Sequence, residues 1–470
     1  MTANYKLKWL LCPETQISSI DISYNPYINW IAAYNNPQLE TIYVTDYQNI
    51  RYDVDDQVQF VIKSGADNPY DKFYTSTDYS QDGIVTTLQT AAKGKGIDVI
   101  LMGDGYSDRL IADGTYDKVM NTAMEKFFTE EPYKSFRDYF NVYSITAISK
   151  NEGFATGYED TCFSSWLAGG GDTHVAGNDQ RVLSYAQRVF GDDDERMDNA
   201  TIIVMMNSTI YAGTCYMYGP SEGDWGNGVS ISYFPVGTDD TALAQVLNHE
   251  ACGHGFSKLG DEYAYEKMGV IPGSAIAEAQ MLGEYGWYKN IDFTSDPTQV
   301  KWYYFLTDQR YAGEGLGVYE GAFTYWTGAY RPTYNSIMNT NVGGFNAPSR
   351  EAIYYRIHKL AYGADWQYDY EEFVEWDARN RVTSSTTRGI PYRLDIPEDF
   401  QPLHPPVVIK GSWRDAKNNA PTKPKVEKRS QNTPSKSQLS ATTALRNGTV
   451  RVITVDESGR KKIVQSKSQK

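Results

Sequence analysis

The sequence predicts an α/β fold in which a layer of strands and helices follows a small all-β domain. Between residues 96 and 260, apolar segments of strand length alternate with segments of helix length, which favours a largely parallel sheet covered by helices. Before residue 80, short segments such as 39–45 and 57–62 alternate apolar and polar positions between turn-forming residues, as in a small antiparallel β domain. The predicted parts are a β-sandwich-like domain over 1–82, the α/β domain over 83–412 and a basic tail over 413–470.

The elements of the α/β domain are predicted from their length and their hydrophobic period. Strands are short, mostly apolar runs that end at turn-forming residues. They are 97–102, 140–148, 201–206 and 229–234. Helices are longer segments in which apolar residues recur every three or four positions, as Leu243, Val246 and Leu247 do. They are 116–128, 179–190, 240–254 and 350–361.

The net charge of −15 is unevenly distributed along the 470 residues. From Asp415 onward there are 13 Lys and Arg against 4 Asp and Glu, so residues 1–414 carry a net charge of −24. An acidic body argues against nucleic acid as a partner, because phosphate backbones attract basic surfaces. The tail is rich in Lys, Ser, Thr and Pro and is predicted to be disordered, apart from one short strand near 450–455.

The cysteines and the apolar segments give little guidance to the class of protein. Four cysteines are too few for a disulfide framework in a chain of this length, although Cys162 and Cys215 lie in glycine-rich surroundings and could pair. No apolar run is long enough to cross a membrane as a helix. The N-terminal residues do not resemble a signal peptide, because their apolar run is short and Leu11 stands where a cleavage site needs a small residue. The oligomeric state is not predicted.

The segment 249–263, HEACGHGFSKLGDEY, has the composition of a metal site. The chain has only five histidines, so two of them within six residues, beside Glu250, argue against a chance arrangement. In the reference pattern H-E-x-x-H, both histidines bind Zn²⁺ from one face of a helix and the glutamate is a general base. Here His249 and His254 are five residues apart instead of four.

The five-residue spacing predicts a distorted helix. On a regular α-helix, five residues rotate by roughly 500°, so the two imidazoles would point about 140° apart. A π-helical turn would return both rings to one face, and Gly253 between them makes such a distortion easier. The alternative pairs Glu250 with His254 as ligands, but it leaves no general base beside the metal.

Several segments resemble the IgA-peptidase family of metallopeptidases. The run G-H-x-F-x-K-L-x-D-E-Y from Gly253 to Tyr263, preceded by His249 and Glu250, is similar to the zinc motif of that family. The segments 98–106 and 131–142 support the resemblance, which covers roughly residues 84–400. It implies a bacterial zinc peptidase with a metzincin-like fold, a protein or peptide substrate, and a secreted or cell-envelope location.

A third metal ligand is predicted just after the histidines. In metzincins a glycine ends the metal-binding helix and the third ligand follows it. Gly260 can supply a left-handed C-cap, which makes Asp261 the natural ligand, and the resemblance points to the same residue. Glu262 is the competing carboxylate. If Glu262 is not a ligand, Glu262 and Tyr263 are candidates to orient the ligands by contacts outside the metal site.

A second segment fits the same interpretation. The run 334–339, YNSIMN, resembles a metzincin Met-turn, the loop that places a methionine, here Met338, beneath the metal. An ordinary buried methionine is the alternative. The segment 266–331, which is rich in Trp, Tyr and Gly, lies between the two motifs and could either wall the cleft or pack against the core.

The predicted function is a zinc-dependent endopeptidase with Glu250 as general base. One alternative is an exopeptidase similar to dipeptidyl peptidase III, whose H-E-x-x-G-H motif has the same spacing; its downstream acidic motif has only a poor counterpart at 371–375. Another alternative is a non-catalytic binding protein on a peptidase scaffold, against which the retained Glu250 argues. The substrate is not predicted.

Overall fold

A computed structural model describes residues 7–25, 27–45, 48, 50–63, 73–154, 159–169, 171–191, 193–219, 228–381, 401–411, 413–414, 452–455 and 461–465. The chain falls into two units, one made of Met1–Phe73 and Pro421–Lys470 and the other of Tyr74–Ala420. No helix among the described residues is long and apolar enough to span a membrane.

Strands of the first unit alternate between two sheets along the chain. One sheet contains β1 (Trp9–Leu11), β3 (Trp30–Ala33) and β5 (Arg51–Val54), and the other contains β2 (Ser19–Asp21), β4 (Thr41–Val44) and β6 (Gln59–Lys63). Every pair among these six strands is parallel. Apolar side chains such as Ile20, Ile31 and Ile42 form the core of this unit.

The prediction of antiparallel pairing in this region is therefore wrong. In register, Trp9 of β1 pairs with Trp30 of β3, and Trp30 pairs with Arg51 of β5, so the partners repeat every 21 residues. Each strand therefore pairs with the next strand but one in the sequence, and not with the strand that follows it directly. The alternation of apolar and polar residues shows that a strand buries one face. It does not show which strand lies beside it, whereas a fixed repeat does.

Part of the basic tail also forms strands in this unit. Where the sequence predicts disorder with one short strand, the structure describes β19 (Val452–Val455) and β20 (Lys461–Gln465). β19 pairs in parallel with β6, and β20 pairs antiparallel with β19. The rest of the tail beyond Arg414 lies outside the described residues.

The second unit is built on a seven-stranded mixed sheet. The strand order is β18-β13-β14-β12-β8-β9-β7. Its strands are β7 (Val85–Gln89), β8 (Ile97–Asp104), β9 (Phe140–Ile145), β12 (Thr201–Met206), β13 (Thr214–Tyr218), β14 (Ser230–Pro235) and β18 (Val407–Ile409). The four central strands are parallel to one another, and β7 and β13 run antiparallel to their inner neighbours.

The four strands predicted for this unit are confirmed, with ends shifted by up to three residues. β8 is buried along its whole length, as expected of a parallel strand covered on both faces. Val99 and Leu101 face one apolar core, whereas Ile100 and Met102 face the other. The period of two along this strand therefore divides its side chains between two layers of helices.

The helices follow the predicted order. They are α1 (Asp108–Ala112), α2 (Thr115–Phe127), α3 (Asp179–Phe190), α4 (Asp194–Met197), α5 (Asp240–Leu247), a π-helix (Asn248–Phe256), α6 (Gly273–Gly283), α7 (Tyr303–Thr307), α8 (Ile337–Thr340), α9 (Ala347–Tyr362) and α10 (Tyr370–Asn380), with 3₁₀ turns at Arg137–Tyr139 and Gln309–Tyr311. Asp239 caps α5, because its carboxylate accepts hydrogen bonds from the backbone N–H groups of Thr241 and Ala242. This cap fixes the start of α5, the helix that leads directly into the predicted metal motif.

Two smaller sheets complete this unit. One is the hairpin β10 (Trp166–Gly169) and β11 (Asp172–Ala176), and the other is a three-stranded sheet of β15 (Ala264–Val270), β16 (Tyr319–Ala322) and β17 (Thr324–Arg331). Trp287, Tyr288 and Ala329 of the aromatic segment pack against Cys215 and Met217 of β13. Cys162 and Cys215, for which the sequence left a disulfide open, are both buried free thiols.

Candidate metal centre

The predicted distortion of the metal-motif helix is confirmed. Residues Asn248–Phe256 form a π-helix, and the N–H of Ser257 continues its pattern by bonding to the carbonyl of Cys252, five residues back, at 3.2 Å. The wider turn brings the two imidazoles onto one face, where Nε2 of His249 lies 3.1 Å from Nε2 of His254. The five-residue spacing is thus accommodated by the backbone.

Glycine at position 253 is required for space. A Cβ atom there would overlap the Sδ atom of Met338, which packs directly on this turn of the helix. Gly255 is confined less severely, because a Cβ would lie 3.0 Å from the hydroxyl of Ser230 on β14. The π-helix is therefore held closely between Met338 on one side and the main sheet on the other.

Asp261 completes a cluster with the two histidines. Its Oδ1 lies 3.1 Å from Nε2 of His249 and 3.1 Å from Nε2 of His254. The three side chains are almost wholly buried, and their ligand atoms all lie within 4.8 Å of one another. These three residues could hold one metal ion.

The outer nitrogens of both rings bond to backbone carbonyls. Nδ1 of His249 lies 2.9 Å from the carbonyl oxygen of Ile337, and Nδ1 of His254 lies 2.7 Å from that of Leu259. A carbonyl can only accept, so each Nδ1 carries the proton and each neutral ring turns the lone pair of Nε2 toward Asp261. Three hydrogen-bond acceptors then face one another with no proton between them, an arrangement that a cation stabilises.

The charges of the cluster also favour a bound cation. Burial acts to raise the pKa of Asp261, but His254 and His249 lower it to about 2, so the carboxylate stays ionised. Burial acts to lower the pKa of His254, and the nearby Asp261 outweighs it and raises the pKa. The centre therefore attracts one positive charge, which either a proton or a metal ion can supply.

Glu250 lies beside the cluster without belonging to it. The residue is completely buried, and burial raises the pKa of its carboxyl group to about 8, although His254 opposes the shift. No described residue gives either oxygen a well-formed hydrogen bond, although the backbone N–H of Cys215 lies close enough to favour the charged form. A carboxyl group of this kind can both take and release a proton near neutral pH.

The turn after the π-helix differs from the prediction. Lys258, and not Gly260, adopts the left-handed conformation, with φ of 55°. The burial of the Lys258 side chain, whose Nζ donates to the carbonyl of Gly255 at 2.8 Å, explains why a long residue stands here. Gly260 serves close packing instead, because a Cβ there would lie 2.7 Å from Ile291.

Glu262 faces away from the histidines. Its carboxylate accepts hydrogen bonds from Asn290 at 2.8 Å, from Ser336 at 2.8 Å and from Asn346 at 2.8 and 3.0 Å. Tyr263 lies nearer the cluster: its ring faces that of His249 at 6.5 Å between centroids, and its hydroxyl donates to the carbonyl of Leu403 at 2.7 Å. Both residues therefore support the centre from outside it.

Met338 lies under the centre on the one-turn helix α8. Ser336 caps this helix by accepting a hydrogen bond from the N–H of Met338 at 3.1 Å. The preceding carbonyl, of Ile337, is the one that bonds His249. The predicted Met-turn segment thus contacts the π-helix through both a side chain and the backbone.

A stretch that the sequence did not single out, 401–411, lies along one side of the centre. β18 pairs in parallel with β13, and before it Leu403 is fully buried with its carbonyl bonded to Tyr263. His404 stacks on His174 at 4.1 Å between ring centroids. Pro405 and Pro406 line a cavity of about 250 Å³ that Asp261 also lines. Only the weak apolar run 407–409 could have suggested a strand here.

The aromatic segment forms the other wall of this cavity. Tyr288 and Phe323 line it, together with Ala279 and Leu282 of α6. The segment also packs against β13. It therefore does both things that the sequence allowed for it, because it lines a cavity and packs against the core. A mostly apolar cavity beside three convergent polar groups is the usual form of a small binding site.

A protein-family model matches part of the chain. The model of the family described as IgA Peptidase M64 matches residues 85–312, a range that includes the main sheet from β7 to β14, the π-helix and Asp261, but not Met338. No curated protein sequence matches the chain. The motif and its surroundings therefore agree with the family model, and the part of the chain from residue 85 to residue 312 is similar to the IgA-peptidase family.

Proposed function

We propose that this protein is a zinc-dependent endopeptidase in which His249, His254 and Asp261 hold the metal and Glu250 is the general base. The observation that carries the proposal is the convergence of three acceptor atoms at 3.1 Å with the protons of both rings directed to backbone carbonyls. Such a cluster is unfavourable unless a cation lies within it. Glu250 supplies the second requirement, a buried carboxylate next to that position.

The donor set favours zinc among the common metals. Two imidazole nitrogens and one carboxylate oxygen suit Zn²⁺, whereas Mg²⁺ and Ca²⁺ prefer oxygen ligands alone. Structural zinc sites have four protein ligands, and catalytic ones have about three and leave a position for water. The three donors present here match the catalytic type.

Glu250 has the properties that amide hydrolysis needs. Zinc, when bound, polarises the scissile carbonyl and makes water more acidic. A carboxylate oxygen of Glu250 takes a proton from the attacking water and passes it to the nitrogen of the departing amine. Burial raises the pKa of this carboxyl group to about 8, so both its protonated and its ionised form are populated near neutral pH, as the acid and base roles require.

The exopeptidase alternative receives less support. It would take its third ligand from the acidic segment 371–375, but Glu371 there is exposed and pairs with Arg310 at 2.5 Å. Asp261 supplies a third donor from within the motif itself. We therefore keep endopeptidase activity as the proposal, together with a secreted or cell-envelope location, which fractionation of the source cells would test.

The experiment compares metal content and cleavage in matched variants. Purified protein should contain about one zinc per chain, cleave a proteome-derived peptide library at internal positions, and stop after chelation until zinc is restored. Glu250→Gln should keep its zinc and lose at least about a hundredfold in rate. Glu284→Gln, which changes an exposed carboxylate on the C-terminal side of α6, should cleave normally.

Three results would contradict the proposal. Full activity of Glu250→Gln would remove the general base. Release of N-terminal dipeptides alone would favour the exopeptidase. A zinc-loaded wild-type protein that cleaves no member of the library would favour a binding protein.

A further inference from the structure

The loop between β12 and β13 packs directly on Glu250. A Cβ atom built on Gly213 of this loop would lie 2.9 Å from both Cγ and Oε1 of Glu250, so only a glycine backbone can approach so closely. Tyr211 lies two residues earlier in the same loop. Its side chain is 39% exposed, whereas Glu250 is fully buried, so Tyr211 can meet a ligand from solvent beside the buried carboxylate.

The hydroxyl of Tyr211 is held by Asn341. The amide nitrogen of Asn341 donates a hydrogen bond to the Tyr211 oxygen at 2.8 Å. Because the hydroxyl is the acceptor in this bond, its own proton remains available for another partner. The hydroxyl group therefore has a fixed position, and none of the described residues accepts its proton.

Asn341 is itself tied to the metal centre. It is 4% exposed, follows α8 in the left-handed conformation with φ of 62°, and donates its backbone N–H to the carbonyl of Ile337. That same carbonyl bonds Nδ1 of His249. One backbone oxygen thus connects the residue that holds Tyr211 with a histidine of the centre.

The hydroxyl stays protonated in this environment. Burial raises the pKa of Tyr211, and the charge of Glu250 raises it further. Tyr211 is therefore a neutral hydrogen-bond donor throughout the physiological pH range.

We propose that Tyr211 is a catalytic residue that donates its hydroxyl proton in a hydrogen bond to the scissile carbonyl oxygen as that oxygen becomes negative in the transition state. The inference rests on the proposed peptidase function. A donor fixed in advance stabilises the developing charge without reorganisation, and it acts more on the transition state than on the bound substrate. No covalent bond to Tyr211 forms, and its proton stays on the hydroxyl.

The main test is Tyr211→Phe in the zinc-loaded full-length protein. We expect kcat to fall by about 10²–10³, the usual effect of losing one such donor, with KM and zinc content almost unchanged. Affinity for a peptide in which a phosphinate replaces the scissile amide should fall by a similar factor, because that anion imitates the transition state. Tyr362→Phe is the matched control: Tyr362 is 45% exposed, and its hydroxyl bonds Tyr139 at 2.8 Å.

Asn341→Asp provides a second variant. Aspartate tolerates the left-handed conformation, but its carboxylate would accept the proton of Tyr211 and withdraw it from the substrate. We expect kcat to fall at least about tenfold while zinc content and melting temperature are kept, which a purely structural role of Asn341 would not produce.

The outcomes separate this inference from the proposed function. Wild-type kcat in Tyr211→Phe, alongside an inactive Glu250→Gln, would overturn the role of Tyr211 and leave the peptidase intact. A change in KM alone would also overturn it, since Tyr211 would then bind the ground state. An inactive zinc-loaded wild type would end both proposals.

Discussion

The carboxylate of Glu262 accepts a hydrogen bond from the hydroxyl of Ser336 at 2.8 Å and so joins the metal motif to the segment that carries Met338. The backbone N–H of Glu262 donates to the carbonyl of Met338 at 2.7 Å, which makes the connection double. Glu262 is thus committed to its protein partners, whereas its neighbour Asp261 faces the histidines. The two adjacent carboxylates therefore have different contacts, and substituting each in turn can distinguish their roles.

Asp261→Ala and Glu262→Ala should fail in different ways. Asp261→Ala removes one of the three donors, so we expect the purified protein to lose its zinc, as measured by mass spectrometry of the metal content. Glu262→Ala leaves the three metal donors in place, but the buried side chains of Asn290, Asn346 and Ser336 lose their hydrogen-bond acceptor. This loss should lower the free energy of unfolding by about 1–3 kcal/mol. Zinc retained by Asp261→Ala and lost by Glu262→Ala would move the third ligand by one residue.

Gly253→Ala should damage the centre through Met338. The added methyl group would overlap the sulfur of Met338, and overpacking of this kind typically lowers stability by about 1–3 kcal/mol. We expect weaker zinc binding and a lower melting temperature. A second change, Met338→Ala, should restore part of both, because it makes room for the methyl group.

Gly283→Ala is the control for this experiment. It lies at the end of α6 with no neighbour within 4 Å of the added methyl group. It should leave zinc binding and melting temperature essentially as they are. If Gly253→Ala behaved like this control, the contact with Met338 would not constrain the π-helix.

Acid should weaken one connection at the start of the second unit. Asp108 accepts hydrogen bonds from the hydroxyl of Tyr74 at 2.7 Å and from the N–H groups of Thr77 and Asp78 at 2.8 Å. Desolvation acts to raise its pKa, but these bonds outweigh it and hold the pKa below its usual value. A carboxyl group whose pKa is lowered by folding stabilises the fold above its unfolded pKa, and this contribution disappears as the pH falls.

The measurement is urea unfolding of wild type and Asp108→Asn at several pH values. At pH 7 the variant should be less stable, and the difference should shrink below pH about 4, where the unfolded carboxyl group becomes protonated. Asp365→Asn, at an exposed loop position, should show no such trend. A difference that stayed constant down to pH 2 would mean that the charge of Asp108 does not matter.

The sequence was most informative where a single element carries the signal. The central strands are covered on both faces and therefore appear as continuous apolar runs, which made 97–102 and 201–206 recognisable. The spacing of His249 and His254 beside Glu250 left a π-helical turn as the arrangement that converges both rings, and the structure has that turn. Local pattern was sufficient for both features.

Features that depend on distant partners were missed. Tyr211 and Asn341 meet across 130 residues, and neither belongs to a motif, so nothing in their own segments joins them. The turn glycine was misassigned for a similar reason: whether Lys258 or Gly260 takes the left-handed conformation depends on the burial of the lysine and on Ile291. Parallel pairing in the first unit was missed because the alternation of apolar and polar residues along a strand does not show which strand lies beside it.

The pairing of β18 with β13 also bears on how the molecule is made. Tyr216 and Val407 are register partners although about 190 residues separate them. A growing chain emerges from its N-terminus, so the outer edge of β13 stays open until nearly the whole second unit has been synthesised. Closure of so long a loop is slow compared with the formation of local helices. A nascent chain that ends between residues 263 and 402 contains the two histidines and Asp261 but lacks Leu403, the residue whose carbonyl holds Tyr263 beside them.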